Sequence, residues 1–204
     1  QGDCILIRKG SANFFASSPV ETSIFVGFLV GANNILEAGI KVNGTKNISH
    51  IKENSKKLTE KYGNILNITD VIPQKMSQKD GWQISDFRLP FSNHNNSQST
   101  LFRAKFLPGS IHKKHIHVNC DEIYYLISGH GLAGAGSDRT EIRGGSFHFI
   151  PKGVEHWLYN LDENIPIEVV GVYCGSDSVE NTGYRYLGNV TQKDINLHKI
   201  TEVK

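Results

Sequence analysis

Cysteine is scarce in this chain: three residues among 204, at Cys4, Cys120 and Cys174. Three is too few for a disulfide framework, and the odd number leaves one thiol unpaired or shared between chains. Charge of one sign is lacking too. Lys and Arg number 22 against 20 Asp and Glu, a net charge of +2, with both signs scattered along the chain. Nucleic acid is therefore not an expected partner, because it demands a concentrated basic face. No apolar run approaches the roughly 18 residues of a membrane-spanning helix, so no membrane partner is expected. The chain starts at Gln1 without methionine, and it carries N-x-S/T sequons at Asn43, Asn47, Asn67, Asn95 and Asn189. Together these predict a processed, secreted protein with N-glycans at some of the five asparagines. The length predicts one domain with elaborations, or one domain and an arm.

What is present is concentrated in residues 108–129, PGSIHKKHIHVNCDEIYYLISG. Side chains alternate faces along a strand, so His115 and His117 share one face and Ile116 takes the other. A short turn through Asn119, Cys120 and Asp121 predicts that Glu122 returns on the neighbouring strand, within EIYYLIS, whose β-branched and aromatic residues suit a strand. Two imidazoles and a carboxylate converging across such a hairpin make most of a metal site. Residues 145–160, GSFHFIPKGVEHWLYN, add His156 after a Pro151-Lys152-Gly153 turn. Cys120 stands in the hairpin turn, but the His/Glu set is complete without it, and a structural or free thiol is the expected role.

The first stretch has glycine, five residues, HxH, four residues, Glu, six residues and glycine. The second has glycine, five residues, PxG, two residues, His, three residues and Asn. Both resemble the two motifs of the cupin superfamily at every position. The 15 residues from 130 to 144 resemble the spacing of compact, bacterial-type cupins, whereas germins carry a longer insert. The resemblance implies an all-β fold, a jelly-roll barrel of antiparallel strands, over residues 81–187. Residues 1–80 are then an N-terminal arm that packs on the barrel or on a partner subunit, and 188–204 a C-terminal tail. It also implies a metal held by His115, His117, Glu122 and His156, with Gly109, Gly129, Gly145 and Gly153 serving turns.

Along the chain, Ser23–Val30 reads as a buried strand and residues 35–42 as a second strand entering a turn. Ser49 can cap a short helix over residues 50–63. TLFRAKF alternates, which predicts Phe102, Ala104 and Phe106 inside the barrel and Arg103 and Lys105 outside. About eight short strands with glycine turns fit the jelly roll. Near the C-terminus, residues 191–200 suit a short helix. His50, His94, His112, His130 and His198 read as surface or hydrogen-bonded residues, and His148 as able to point either way.

Three imidazoles and a carboxylate suit one divalent transition metal, Mn or Fe first, with Zn, Ni, Cu or Co as further choices. An octahedral ion would keep two adjacent positions for water, dioxygen or a small chelating substrate. Tyr124 shares the inward parity of Glu122 and is the candidate catalytic residue, as donor of a proton or hydrogen bond; a core tyrosine with a satisfied hydroxyl is the competing reading. Leu126, Leu158 and Asn160 share the inward faces. These features predict a metal-dependent oxidoreductase or lyase acting on a small oxygen-rich acid or hydroxylated compound. A non-catalytic extracellular binding or storage module is the alternative, and a sugar isomerase or epimerase a third. Tyr125, Ile127, Trp157 and Tyr159 fall on the outer faces, which predicts cover by the N-terminal arm or by a twofold partner in a homodimer or higher homo-oligomer.

Overall fold

The computed structural model describes residues 2–11, 13, 15, 20–41, 44 and 65–196. The chain divides into two compact units, residues 1–70 and 71–204. In the first, β1 (Asp3–Ile5) pairs antiparallel with β2 (Ile65–Asn67). The strand expected over Ser23–Val30 does not form: the segment is irregular, and Ile24, Phe25, Leu29 and Val30 are exposed. Residues 35–39 make a turn instead of the second expected strand. The physical reason lies at Asn34, whose Oδ1 accepts the backbone N–H groups of Leu36 and Glu37, each at 3.0 Å. A side chain that captures backbone donors in this way competes with a sheet ladder. The helix expected over 50–63, with Asn43, Asn47, His50 and His198, lies outside the described residues.

The second unit holds two five-stranded antiparallel sheets. Its strands are β3 (Asp86–Phe91), β4 (Thr100–Phe106), β5 (Ile111–His117), β6 (Asp121–Ser128), β7 (His130–Ala135), β8 (Asp138–Arg143), β9 (Phe147–Ile150), β10 (His156–Asn160), β11 (Ile167–Cys174) and β12 (Tyr184–Gly188). One sheet runs β12-β5-β10-β7-β8 and the other β3-β4-β11-β6-β9, the layered arrangement of a jelly roll. A short helix, α1 (Gln192–Asn196), follows. The unit starts at Val71, ahead of Gly81, because residues 74–84 pack onto the barrel. Gln74 N–H donates to Phe87 O at 2.7 Å, and the Trp82 side chain belongs to the core.

Alternation decides which residues fill the space between the sheets. Phe102, Ala104 and Phe106 on β4 are buried with Phe87, Leu126, Ile167 and Val169. Arg103, on the opposite face of β4, pairs with Asp86 and with Glu168 at 2.8 Å. The motif glycines 109, 129, 145 and 153 all have positive φ, as their turns require.

The outer stripe differs from expectation. Ile127 is exposed and Tyr125 and Tyr159 are half-buried, but Trp157 is only 2 % exposed within the single chain. The Arg139 guanidinium lies over the indole, 5.1 Å from its centroid, and is itself held by the Asp194 carbonyl at 2.6 Å. Below the indole sits Gly134, paired with Trp157 across β7 and β10; a Cβ there would lie 2.2 Å from the ring. Gly134→Ala must displace the indole or open the ladder, at a cost of about 1–3 kcal/mol. Urea unfolding followed by tryptophan fluorescence should show the lower midpoint, and an unchanged midpoint would count against this packing.

Candidate metal centre

β5 carries His115 and His117, β10 carries His156, and β6 carries Glu122. The first two strands are paired, with His156 opposite His115. β6 does not return beside β5 as expected. It pairs with β11 and β9 in the facing sheet, so residues 118–120 cross from one sheet to the other. The carboxylate therefore meets the imidazoles across the barrel interior. All four side chains are buried, and one ligand atom from each lies within 4.8 Å of the others. Among the described residues no other His/Cys/Asp/Glu group converges in this way. Cys120 stays outside it as a buried free thiol, pushed up to about 12 by burial and then by Glu122.

Backbone carbonyls fix two of the rings. His115 Nδ1 lies 2.7 Å from Lys113 O, and His156 Nδ1 lies 2.9 Å from Val154 O. A carbonyl can only accept, so both Nδ1 atoms carry the proton and a neutral ring turns its Nε2 lone pair inward. His156 Nε2 is then 3.1 Å from Glu122 Oε2. His117 Nε2 is also 3.1 Å from that oxygen, yet it makes no hydrogen bond there and its Nδ1 has no partner. His115 Nε2 is buried and unpartnered as well.

Lone pairs facing a carboxylate repel unless a positive charge lies between them. One added proton on His156 would leave His115 and His117 unsatisfied, and each such buried orphan costs about 1–3 kcal/mol. Protonation is also opposed by burial, which pushes His115 well below its ordinary value, followed by the neighbouring imidazoles of His156, His112 and His117. Burial alone would raise the Glu122 carboxyl, but the adjoining His117 and His156 imidazoles outweigh it and hold the carboxyl below its ordinary range. A single divalent cation would satisfy all four groups at once. The donor set fits such an ion.

Tyr124 comes to the same cavity, as its parity predicts. Its hydroxyl lies 2.7 Å from His148 Nδ1, which settles that His148 points inward from β9. Leu126 and Leu158 are buried as expected. Asn160 serves the scaffold: its amide donates to Phe106 O at 3.1 Å and Ile165 O at 3.0 Å.

Three residues of the site escaped sequence reasoning. Strict alternation from His115 turns His112 outward, but the β5–β10 register shifts between the pairs His156–His115 and Leu158–His112. That bulge brings His112 inside, where its ring stacks on His115 at 4.1 Å. Trp82 precedes the first barrel strand, and Tyr184 lies on β12 in a stretch too polar to read as a strand. Both rings pack against these histidines, Trp82 at 4.7 Å from His112 and Tyr184 at 4.9 Å from His115.

The buried imidazoles have a consequence for stability. Burial, with the nearby imidazoles adding and Glu122 opposing, lowers His112 from 6.5 to about 3. Burial likewise lowers His148 from 6.5 to about 4. The unfolded chain takes up these protons below its ordinary value and the native chain does not. Their contribution is thus complete above that value and is lost as pH falls through it toward the native ones. The urea midpoint of metal-free protein is expected to drop between about pH 7.5 and pH 5, with a shallower slope in His148→Gln. A flat profile would contradict this burial.

Residues 102–173 match the Cupin_2 family model, a cupin domain. Over 92 residues the chain is 28 % identical to an uncharacterized protein of Methanocaldococcus jannaschii, a span of 45 % of this chain and 72 % of that one. Over 50 residues it is 32 % identical to an uncharacterized protein of Streptomyces coelicolor, covering 24 % of this chain and about half, 48 %, of the relative. A Thermotoga maritima structure described as a predicted oxalate decarboxylase aligns with TM-score 0.47 and 23 % identity, over 52 % of this chain and 95 % of that one. The two motifs, the barrel and the family match agree: residues 102–173 are a cupin domain.

Proposed function

We propose that the chain is a secreted metal-dependent cupin enzyme, an oxidoreductase or lyase acting on a small oxygen-bearing compound that chelates a divalent metal, Mn or Fe first. The observation that carries this reading is the convergence of buried, unpartnered imidazole nitrogens of His115 and His117 and the lone pair of His156 on the Glu122 carboxylate. A bound Mn or Fe would supply Lewis acidity and one-electron chemistry. Glu122 offsets part of the ion's charge, and the carbonyls of Lys113 and Val154 hold the Nε2 atoms of His115 and His156 ready. Burial raises the Tyr124 hydroxyl well above its ordinary value, and the Glu122 charge adds to this, so Tyr124 stays protonated. With His148 Nδ1 as acceptor, the Tyr124 oxygen offers lone pairs to a substrate; with Nδ1–H as donor, Tyr124 offers its proton. Among the residues lining the cavity Glu122 is the one carboxylate, and it is already engaged. That argues against decarboxylation through a second acid.

A second reading has its own support. The cavity beside the four groups is only about 20 Å³, room for little more than one water, which suits a non-catalytic binding or storage module. Secretion rests on the sequons. Of those described, Asn189 is exposed, while Asn67 and Asn95 are half-buried and their side-chain oxygens accept hydrogen bonds. A homodimer would have an apolar surface available in Ile127, Phe147 and Phe149, 46 %, 57 % and 57 % exposed.

The test is metal content by plasma mass spectrometry on protein from a eukaryotic secretory host, beside His115→Ala and Glu122→Ala. One Mn or Fe per chain, lost in both variants, is expected. Metal-free wild type that folds like both variants would defeat the site. Tyr124→Phe should keep the metal and lose about 10²–10⁴ of turnover if it moves a proton. Full turnover would return it to the core.

A further inference from the structure

A cavity of about 20 Å³ admits no organic substrate, yet a groove of about 390 Å³ lies immediately outside it. Trp82 and Phe87 line both. Between the two spaces stands an aromatic layer. The Trp82 and Tyr184 rings are 4.5 Å apart, and Tyr184 lies 4.9 Å from His115 and 5.7 Å from His117. We propose that this groove is the binding subsite for the body of the ligand, a flat, largely uncharged organic molecule with oxygen donors at one end, and that Trp82 and Tyr184 are its floor and its gate to the metal centre. The proposal rests on the metal-site reading and adds to it the substrate class and the route of access.

The chemistry of the groove sets the class. An indole and a phenol form a stacking floor, and Met76, Leu89 and Val179 give apolar walls. Lys75 and Glu180 bring one charge of each sign, so the groove selects for no net charge. Its volume is that of a site for a drug-sized molecule, larger than a two-carbon acid needs.

The gate is built from parts held on one side. Every residue lining the inner cavity lies on a barrel strand except Trp82 and Ile84. Trp82 follows a short turn that ends at Gly81, φ 89°, and its own N–H reaches Ser77 O at a long 3.3 Å. The Tyr184 hydroxyl donates to Asp80 O, in the same short turn that precedes Trp82. Tyr184 itself sits on β12, paired among the described residues only with β5. Moving Trp82 outward therefore breaks no sheet ladder.

The test uses the full-length, metal-free protein, so its result is independent of metal content. In Trp157→Phe, where Trp82 is the one remaining tryptophan, 2-naphthol should quench fluorescence saturably, and Val179→Arg should raise the half-saturation concentration at least tenfold. Carbethoxylation of His112 and His115, read by mass spectrometry, should run at least tenfold faster in Trp82→Ala and in Tyr184→Ala than in wild type. Trp82→Phe should stay near the wild-type rate. Should one alanine variant fail to fold, the other decides. Non-saturable quenching would overturn the groove as a binding site. Carbethoxylation at the wild-type rate in a folded alanine variant would overturn the gate. Wild type that carries no metal as purified, yet passes both arms, would remove the metal reading and leave the groove standing.

Discussion

One buried anion organises this barrel. Glu122 reaches from one sheet toward two imidazoles of the other, 3.1 Å from each, in a space that water barely enters. A carboxylate in such surroundings is costly unless it is paired, and neutral imidazoles that turn lone pairs toward it worsen the balance. The site is thus a charge deficit built into an otherwise apolar core. The fold can tolerate it only by holding the groups rigidly, ready for a cation.

The rigidity is visible in how each ligand is delivered. His115 and His156 face one another across a ladder, and their rings are locked by carbonyls two residues back. Glu122 comes from a strand paired on both sides, by β11 and β9. Asn160 ties the far end of β10 to β4 through Phe106 O. Behind the ligands, Phe87, Phe102, Leu126 and Tyr173 fill the interior. The outward face of β10 is sealed separately, by Arg139 over Trp157.

Much of this was legible because period-2 alternation is a strong local constraint. Once His115 and His117 share a face, Glu122, Tyr124 and Leu126 follow on their own strand, and so do Phe102, Ala104 and Phe106 on β4. What was illegible has local causes too. A bulge in β5 reverses the parity of His112, and nothing in the residue types KK at 113–114 announces it. β12 lacks an apolar rhythm because its residues face an edge, so Tyr184 was hidden in a polar tail. The hairpin reading of β5 and β6 failed because a three-residue turn can join paired strands or turn a corner between sheets, and only long-range pairing decides. The N-terminal strands failed because Asn34 offers the backbone a local partner, and Ser23–Val30 joins no ladder among the described residues.

The two surprises at the site, the extra imidazole and the aromatic layer, belong together physically. Keeping His112 and His115 neutral and stacked requires that water be excluded, and Trp82 and Tyr184 exclude it. The same layer must exclude a substrate. Dryness and access therefore conflict in this barrel, and any ligand reaching the four inward groups must first occupy the space of an aromatic ring. A ligand with a flat apolar face replaces what it displaces: it restores the stacking and keeps water out while its oxygens approach the site. A small hydrated acid does neither, since it would carry water past the layer and leave the rings unstacked. Selectivity then falls to residues outside the two motifs, which is why motifs that identify the family so clearly leave the reaction open.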